Sequence, residues 1–276
     1  MVRARLVELV RRNERVHRAA REARFRIGRL VPPRRYPGIP GRVHFNDFMF
    51  TERSSAEALS YRERALNVIS LIEESLAAAG RTFDDVDRWL DFGCGYGRVV
   101  RFLAERVPAE RIHAADVVEE GVRFCASEFG VHPVPSRADL ATLRLGRFDF
   151  VYAISVLTHL DERNSVELLR LLGESLEPGG IALFTIHGRH SLENPGLYGA
   201  EYEERSAEIA ARVAEAGTVF LPYRFLGDTH YGMAWHSVDW VEAKLAELHG
   251  GRLRRLLFRP RGLDDHQDVL AFQRRG

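Results

Sequence analysis

Lysine is almost absent from this chain: Lys244 is the single one among 40 basic residues, a bias we read as genome composition rather than chemistry. Two cysteines, Cys94 and Cys125, are too few for a disulfide framework and fit a reducing, cytoplasmic setting. No window approaches the roughly 18 consecutive apolar residues of a membrane span. The opening stretch, MVRARLVELVRR, is charged throughout and lacks the apolar core of a secretory signal. Internal repeats, low-complexity tracts and the Cys/His spacing of a zinc site are also missing. What remains is ordinary: 276 residues, 45% hydrophobic and 29% charged, enough for one large domain or a domain with an appendage.

The net charge of +1 conceals an asymmetry. Residues 1–35 hold twelve arginines against three glutamates, about +9, which leaves the remainder near −8. Val2, Leu6, Leu9, Val10, Val16, Ala20, Ala23, Ile27 and Leu30 fall along one helical face, so residues 3–29 read as a basic amphipathic helix. We expect its apolar stripe to pack on its own domain or on a second copy in a homodimer. An arm for an anionic membrane surface, or for a polyanionic substrate, is the alternative. An organellar targeting segment fits less well, given the glutamates and the lack of serine. Residues 31–41, VPPRRYPGIPG, read as a linker. The chain thus divides into 1–41, basic helix and linker; 42–80, a helical lead-in and lid; and 81–276, the main domain with a lid insertion at 188–232.

The main domain alternates strand and helix. Strands are predicted at 86–91, 112–116, 148–154 and 181–187, with a poorly defined one around 131–135. Helices are predicted at 54–79, 98–106, 119–129, 163–176, 202–216 and 238–249, the first with Leu59, Leu66, Ile69, Ile72 and Leu76 on its inner side. The turn Pro178-Gly179-Gly180 closes the fourth of these and precedes the strand at 181–187. Strands at 253–258 and 268–272 are joined only by a turn around Gly262, so they should pair antiparallel. The expected fold class is α/β: a doubly wound, mostly parallel seven-stranded sheet with an antiparallel C-terminal strand pair, plus an N-terminal helical extension.

Leu90-Asp91-Phe92-Gly93-Cys94-Gly95-Tyr96-Gly97-Arg98 is a strand, a glycine turn and a helix start. Glycines let the backbone turn tightly and a ligand approach it. A nicotinamide dinucleotide is one reading, but its turn is spaced Gly-x-Gly-x-x-Gly. Here the spacing is Gly-x-Gly-x-Gly with an acid two residues ahead, which suits a cationic ligand better than a pyrophosphate.

This segment resembles motif I of the class I S-adenosylmethionine-dependent methyltransferases. The resemblance implies S-adenosyl-L-methionine as cofactor, with Asp91 near its amino group and Gly93, Gly95 and Gly97 beside it. Asp116, nineteen residues after Gly97, would accept the ribose hydroxyls at a strand end. Asp139 and the Leu140 N–H would meet the adenine. Residues 148–154 resemble motif IV, and Leu176-Glu177-Pro178-Gly179-Gly180 also belongs to the family pattern; matched features run from about 86 to 272. The runs SVLTHLDE, FTIHGRH and HQDVLAF are similar to bacterial methyltransferases of small molecules and glycans.

Further absences narrow the acceptor. After the fourth strand the chain reads Ala153-Ile154-Ser155-Val156, not the Asn/Asp-Pro-Pro-Tyr of nucleic-acid amine methylases. Neither Cys94 nor Cys125 has the context of a cytosine-attacking nucleophile, and both read as packed thiols. Nucleic acid is therefore set aside, and no metal is expected. The reading is O-methylation of a small molecule or sugar; N-methylation or a non-catalytic binding module is the alternative, and a nicotinamide oxidoreductase is the rival from another class. A hydroxyl acceptor needs a base. His187 ends the fifth strand, His159 lies just past the fourth, and His236 follows the aromatic run 231–235; they are the catalytic candidates in that order, with His266 behind. Aromatics of the lid, Tyr198, Tyr202, Phe220, Tyr223, Phe225, Tyr231 and Trp235, would suit a sugar or flat ring. Tyr96 reads as a contact of the cofactor loop, and Arg98 and Arg101 as solvated or acid-paired.

Overall fold

A computed structural model describes residues 14–223 and 230–276, so residues 3–13 of the expected N-terminal helix, and Phe225, lie outside the described residues. In chain order the strands are β1 (Arg34–Tyr36), β2 (Ile39–Val43), β3 (Trp89–Phe92), β4 (Ile112–Ala115), β5 (His132–Val134), β6 (Phe148–Ala153) and β7 (Leu176–Ile186). They continue with β8 (Thr218–Pro222), β9 (Gly232–His236), β10 (Leu253–Leu263) and β11 (Gln267–Arg274). The main sheet runs β10-β11-β7-β6-β3-β4-β5. Its five strands from β7 to β5 are parallel, and β11 and β10 close it antiparallel, the α/β architecture that the alternation of elements predicts. The order in which strands are added reverses between β3 and β6, which run parallel, and this is the switch point at which ligands of such sheets bind.

Period-two alternation feeds two cores. Trp89, Phe150 and Tyr152 face the layer under helix Ser55–Ala78. Leu90, Phe92, Val151 and Ala153 face the layer under helices Glu162–Glu174 and Val238–His249. Helix Ser55–Ala78 starts where Ser54 accepts the Glu57 N–H, and buries Tyr61, Ala65, Val68, Ile69, Ile72 and Leu76. Leu59, expected inside, is 53% exposed, because Ala58 and Tyr61 take that turn's inward positions.

Several boundaries differ from expectation. Pro178-Gly179-Gly180 does not end an element: β7 already starts at Leu176, and its register on β6 jumps from Leu176 to Ile181, so the turn residues bulge out of a continuing strand. The helix expected at 98–106 shrinks to Val100–Leu103, flanked by tight i→i+3 turns at Phe102 and Arg106. The helix expected at 202–216 breaks into Ala200–Glu203 and Ser206–Ala216. With β8 and β9 these short helices enclose a small separate core of Tyr202, Ile209, Val213, Leu221 and Trp235. Among the described residues no helix is long and apolar enough to cross a membrane.

The supposed linker 31–41 is instead part of a hairpin, β1 and β2, turning at Pro37-Gly38 with Gly38 at φ +73°. Proline and glycine here make a turn rather than a tether. The described part of the N-terminal helix, Glu14–Gly28, does not bury its stripe on the body: Val16, Ile27 and Leu30 are 48%, 54% and 84% exposed. It meets the domain at its C-terminal end, where the Phe25 carbonyl accepts from Asn46 Nδ2 (3.2 Å) and Arg29 Nε donates to Glu120 (3.2 Å).

Arg101 is neither solvated nor acid-paired. It is 1% exposed and donates to four backbone carbonyls: Tyr96 (3.1 Å) and Gly97 (3.0 Å) in the glycine turn, Pro40 (3.0 Å) and Arg42 (3.1 Å) in the hairpin. Its guanidinium also lies 5.0 Å from the Phe129 ring centroid. Arg101→Met keeps the apolar stem but removes every donor. It should cost about 3 kcal/mol or more and raise amide exchange selectively across 34–43. Unchanged exchange there would mean that other contacts hold the hairpin.

Candidate functional site

The turn after β3 is pinned to β4, since the Gly93 and Cys94 N–H groups both donate to the Ala115 carbonyl, at 2.7 and 3.1 Å. Gly93, Gly95 and Gly97 all take positive φ. Two of them also lack room for a side chain: a Cβ on Gly93 would lie 2.5 Å from Val156 Cγ2, and one on Gly97 would lie 2.9 Å from Cys125 Sγ. Asp116, just past β4, is half-buried and closes the turn from the other side. Its Oδ2 accepts the Gly95 N–H (2.8 Å) and its Oδ1 the Val118 N–H (2.7 Å). Val117 beside it is 60% exposed, an apolar surface at the mouth that the sequence reading passed over.

Asp91 lies inside β3 and is 4% exposed. Burial pushes its carboxyl up to about 8; the adjacent Tyr152 hydroxyl draws it back and the Asp116 charge adds to the rise. That hydroxyl leans on Asp91 but reaches ordinary hydrogen-bond geometry with no partner.

A cover over the turn comes from the N-terminal segment. The His44 ring stacks on Tyr96 at 4.9 Å, and the Phe48 ring edge is the nearest neighbour of a Cβ placed on Gly95, at 3.8 Å. Glu120 joins cover to turn: it accepts from the Tyr96 hydroxyl (2.7 Å) and from Asn46 Nδ2 (2.9 Å). Asp139 stands farther out. It is exposed, caps the short turn Leu140–Thr142 and faces Arg163 at 3.4 Å, while the Leu140 side chain enters the core.

The candidate histidines separate by their partners. His187, at the end of β7, is 2% exposed and its Nδ1 lies 3.0 Å from the Ala234 carbonyl. His159 Nδ1 lies 2.9 Å from the Gly232 carbonyl, with the Tyr223 hydroxyl at 3.1 Å. A carbonyl only accepts, so both rings carry their proton on Nδ1. Burial lowers both pKa values, that of His187 well below the ordinary range, with His159 adding to its fall. Burial thus favours the neutral form of both rings, and among the described residues no hydrogen bond engages Nε2 of either. His236 differs: its Nδ1 meets Thr218 Oγ1 (2.8 Å), its Nε2 the Leu157 carbonyl (3.2 Å), and burial lowers its pKa to about 4. This corrects the expectation of three available bases, since His236 has no free nitrogen and serves as a clasp between lid and domain.

Around His187 and His159 lie Tyr198 and His266, both named from the sequence, and the pair Ser155 and Gln267, to which the sequence reading gave no role. The Tyr198 ring is 4.3 Å from that of His187. Ser155, just after β6, has φ +56°, strained for a residue with a side chain, and donates through Oγ to Gln267 Oε1 at 3.1 Å. His266 lies on the same side, its ring 6.5 Å from that of His187. Val156, the nearest side chain to a Cβ placed on Gly93, precedes His159 by three residues, so the segment after β6 links these groups to the glycine turn. Among the described residues no group of three His, Cys, Asp or Glu is arranged to hold a metal ion.

Comparison with known proteins agrees with this geometry. The methyltransferase-domain family model matches residues 60–247. Among solved structures, an O-methyltransferase family protein from Burkholderia thailandensis is similar at a TM-score of 0.51 and 15% identity, covering 83% of this chain and 62% of that one. The PH0226 protein from Pyrococcus horikoshii OT3 gives 0.53 and 15%, covering 82% and 95%. Magnesium protoporphyrin IX methyltransferase from Synechocystis PCC 6803 gives 0.50 and 15%, covering 80% and 88%. These likenesses establish the fold. No curated protein matches the chain.

The carboxyl of Asp91 makes a stability prediction. Its pKa is about 8 in the fold against 3.8 ordinarily, so the native state keeps a proton that the unfolded chain gives up. Asp91 therefore opposes folding increasingly as pH rises from about 4 to about 8. Asp91→Asn should melt above the wild type at pH 8, with the gap shrinking toward pH 5. A gap independent of pH would show that the carboxyl ionises normally.

Proposed function

We propose, from the premise that this chain belongs to the methyltransferase-domain family and is a class I enzyme using S-adenosyl-L-methionine, that it methylates a hydroxyl of a small molecule or sugar. The observation that carries this reading is the pair of neutral imidazoles, His187 and His159, each held through Nδ1 by a lid carbonyl and each presenting a free Nε2. An amine acceptor could arrive deprotonated and would not need them.

The residues at the turn fit the cofactor. A buried carboxyl kept neutral by its surroundings gains from a cation, so Asp91 takes the amino group. The glycine turn leaves the space that a ligand backbone needs. Asp116 is oriented by two backbone N–H groups and keeps lone pairs for the ribose hydroxyls, and Val117 offers apolar contact to the base. Asp139 and the Leu140 N–H take the adenine edge, with Arg163 competing for the carboxylate. When bound, the cofactor supplies a methyl group already activated on a sulfonium. His187 Nε2 accepts the acceptor's proton as the oxygen attacks, His159 and Tyr198 orient the hydroxyl, and the lid excludes water.

Two measurements bear on these roles. Binding an ammonium draws Asp91 to its ionised form, so below about pH 8 binding must expel a proton. Affinity for S-adenosylhomocysteine should weaken by up to about tenfold per pH unit below that point, and calorimetry in buffers of different ionisation enthalpy should register the proton. A constant Kd from about pH 7 to about pH 9 would take Asp91 out of the site.

The acceptor is found by incubating extracts with methyl-labelled cofactor and identifying the labelled product; an N-methyl product would overturn the hydroxyl reading. With that acceptor, His187→Ala should lower kcat by about 100-fold or more while cofactor binding and Tm hold. His236→Ala should instead lower Tm. Because burial depresses the His187 pKa, the acid limb of the kcat profile should lie below pH 6.5. Near-normal kcat in His187→Ala and His159→Ala would sink the base assignment.

A further inference from the structure

At the end of the sheet opposite the glycine turn, where β6 and β7 begin and β11 ends, there is a cleft of about 330 Å³. Arg144, Arg147, Arg252 and Arg274 line it with one carboxylate, Glu174. Arg170 already pairs with Glu174, and among the described residues no ion pair joins any of the four lining arginines to a carboxylate. Arg147 and Arg274 each donate an Nη1 proton to one and the same acceptor, the Leu176 carbonyl, both at 2.8 Å. A single oxygen thus holds two like charges side by side. Arg252 is anchored separately, its Nε donating to the His249 carbonyl at 2.9 Å. Each guanidinium has five donors, so most of them stay free for a ligand.

Backbone electrostatics do not balance this charge. Helices Glu162–Glu174 and Val238–His249 end at the cleft. Each contributes about −0.5 at its C-terminus, and Glu174, which shares Arg170 with Glu167, adds a further negative charge, which leaves a surplus of about two positive charges on the four arginines. Burial, and then the crowding of Arg147 and Arg252, lowers the Arg274 pKa, with Glu177 offsetting part of the fall. The planar fork of arginine matches phosphate oxygens two at a time. The volume is at the lower end for small-molecule pockets, roughly 300–1,000 Å³, and too small for a polymer strand. We propose that this cleft is a second ligand site, distinct from the methyl-transfer site, which binds the phosphate or pyrophosphate group of a small phosphorylated molecule.

Inorganic pyrophosphate is the probe, titrated by calorimetry and by melting temperature at about 0.15 M ionic strength, where surface charge is largely screened. Sulfate at matched ionic strength controls for general salt effects. Wild type should bind pyrophosphate saturably with Kd below about 1 mM and more tightly than sulfate. The double variant Arg147→Gln/Arg274→Gln should weaken it by about tenfold or more, with S-adenosylhomocysteine binding intact as the sign of a folded protein. Arg252→Gln, anchored on a different element, serves if the double variant fails to fold, and should also weaken binding. Absence of saturable binding by wild type, or equal affinity in a folded variant, would overturn the proposal. So would arginine-dependent binding of an RNA oligonucleotide or an anionic vesicle without binding of pyrophosphate, which would make this face a polyanion surface instead.

Discussion

Lack of space around the turn that follows β3 governs most of what surrounds it. Val156 presses on Gly93, Cys125 on Gly97, and the start of helix Glu119–Phe129 approaches so closely that a Cβ on Gly121 would lie 2.2 Å from the Gly95 carbonyl. The segment after β6 and helix Glu119–Phe129 can close on the turn because no Cβ stands at Gly93, Gly97 or Gly121. The same bareness leaves backbone N–H groups free to hold Asp116 and to pin the turn on Ala115. The mouth is therefore bounded by backbone and two carboxyl groups, with the rings of the N-terminal cover above it.

Charges inside the domain are handled mainly by backbone rather than by ion pairs. Arg101 is satisfied by four carbonyls, Asp116 by N–H groups, and Asp47 by the Met49 N–H and the Tyr61 hydroxyl. Backbone partners are fixed in place by the fold, so a charge they hold fixes their spacing in return. Arg101 uses this to join a hairpin distant in sequence to the glycine turn. Asp91 is the exception, buried without such partners and displaced to about 8. A carboxyl left in that state is unfavourable for folding, so stability does not account for it; the cation bound in the proposed function would.

The lid acts through its backbone as well. Gly232 and Ala234 in β9 offer the carbonyls that set the tautomers of His159 and His187, while His236 at the end of that strand ties Thr218 to Leu157. Lid position and the availability of these ring nitrogens are therefore one property. A shift of β9 against the sheet would change both hydrogen bonds at once, and with them which nitrogen of each ring is free.

What could be read from the residues alone was what depends on near neighbours. Strand and helix alternation, the antiparallel end of the sheet, the glycine turn with Asp91 ahead of it and Asp116 nineteen residues on all follow from local periodicity and spacing, because these patterns repeat over a few residues. Tertiary structure decided whatever depends on partners far along the chain. From the sequence the three histidines stood in the order His187, His159, His236, yet only contacts across 47, 73 and 79 residues distinguish the two with a free nitrogen from the one without. Arg101 looked like a surface residue of a helix until a hairpin about 60 residues earlier supplied its acceptors. Pro37 and Gly38 signal a turn in a linker and in a hairpin alike; only the strands brought together on either side tell them apart. Hydrogen-bond acceptors and burial are properties of assembled surfaces, and no window of sequence contains them.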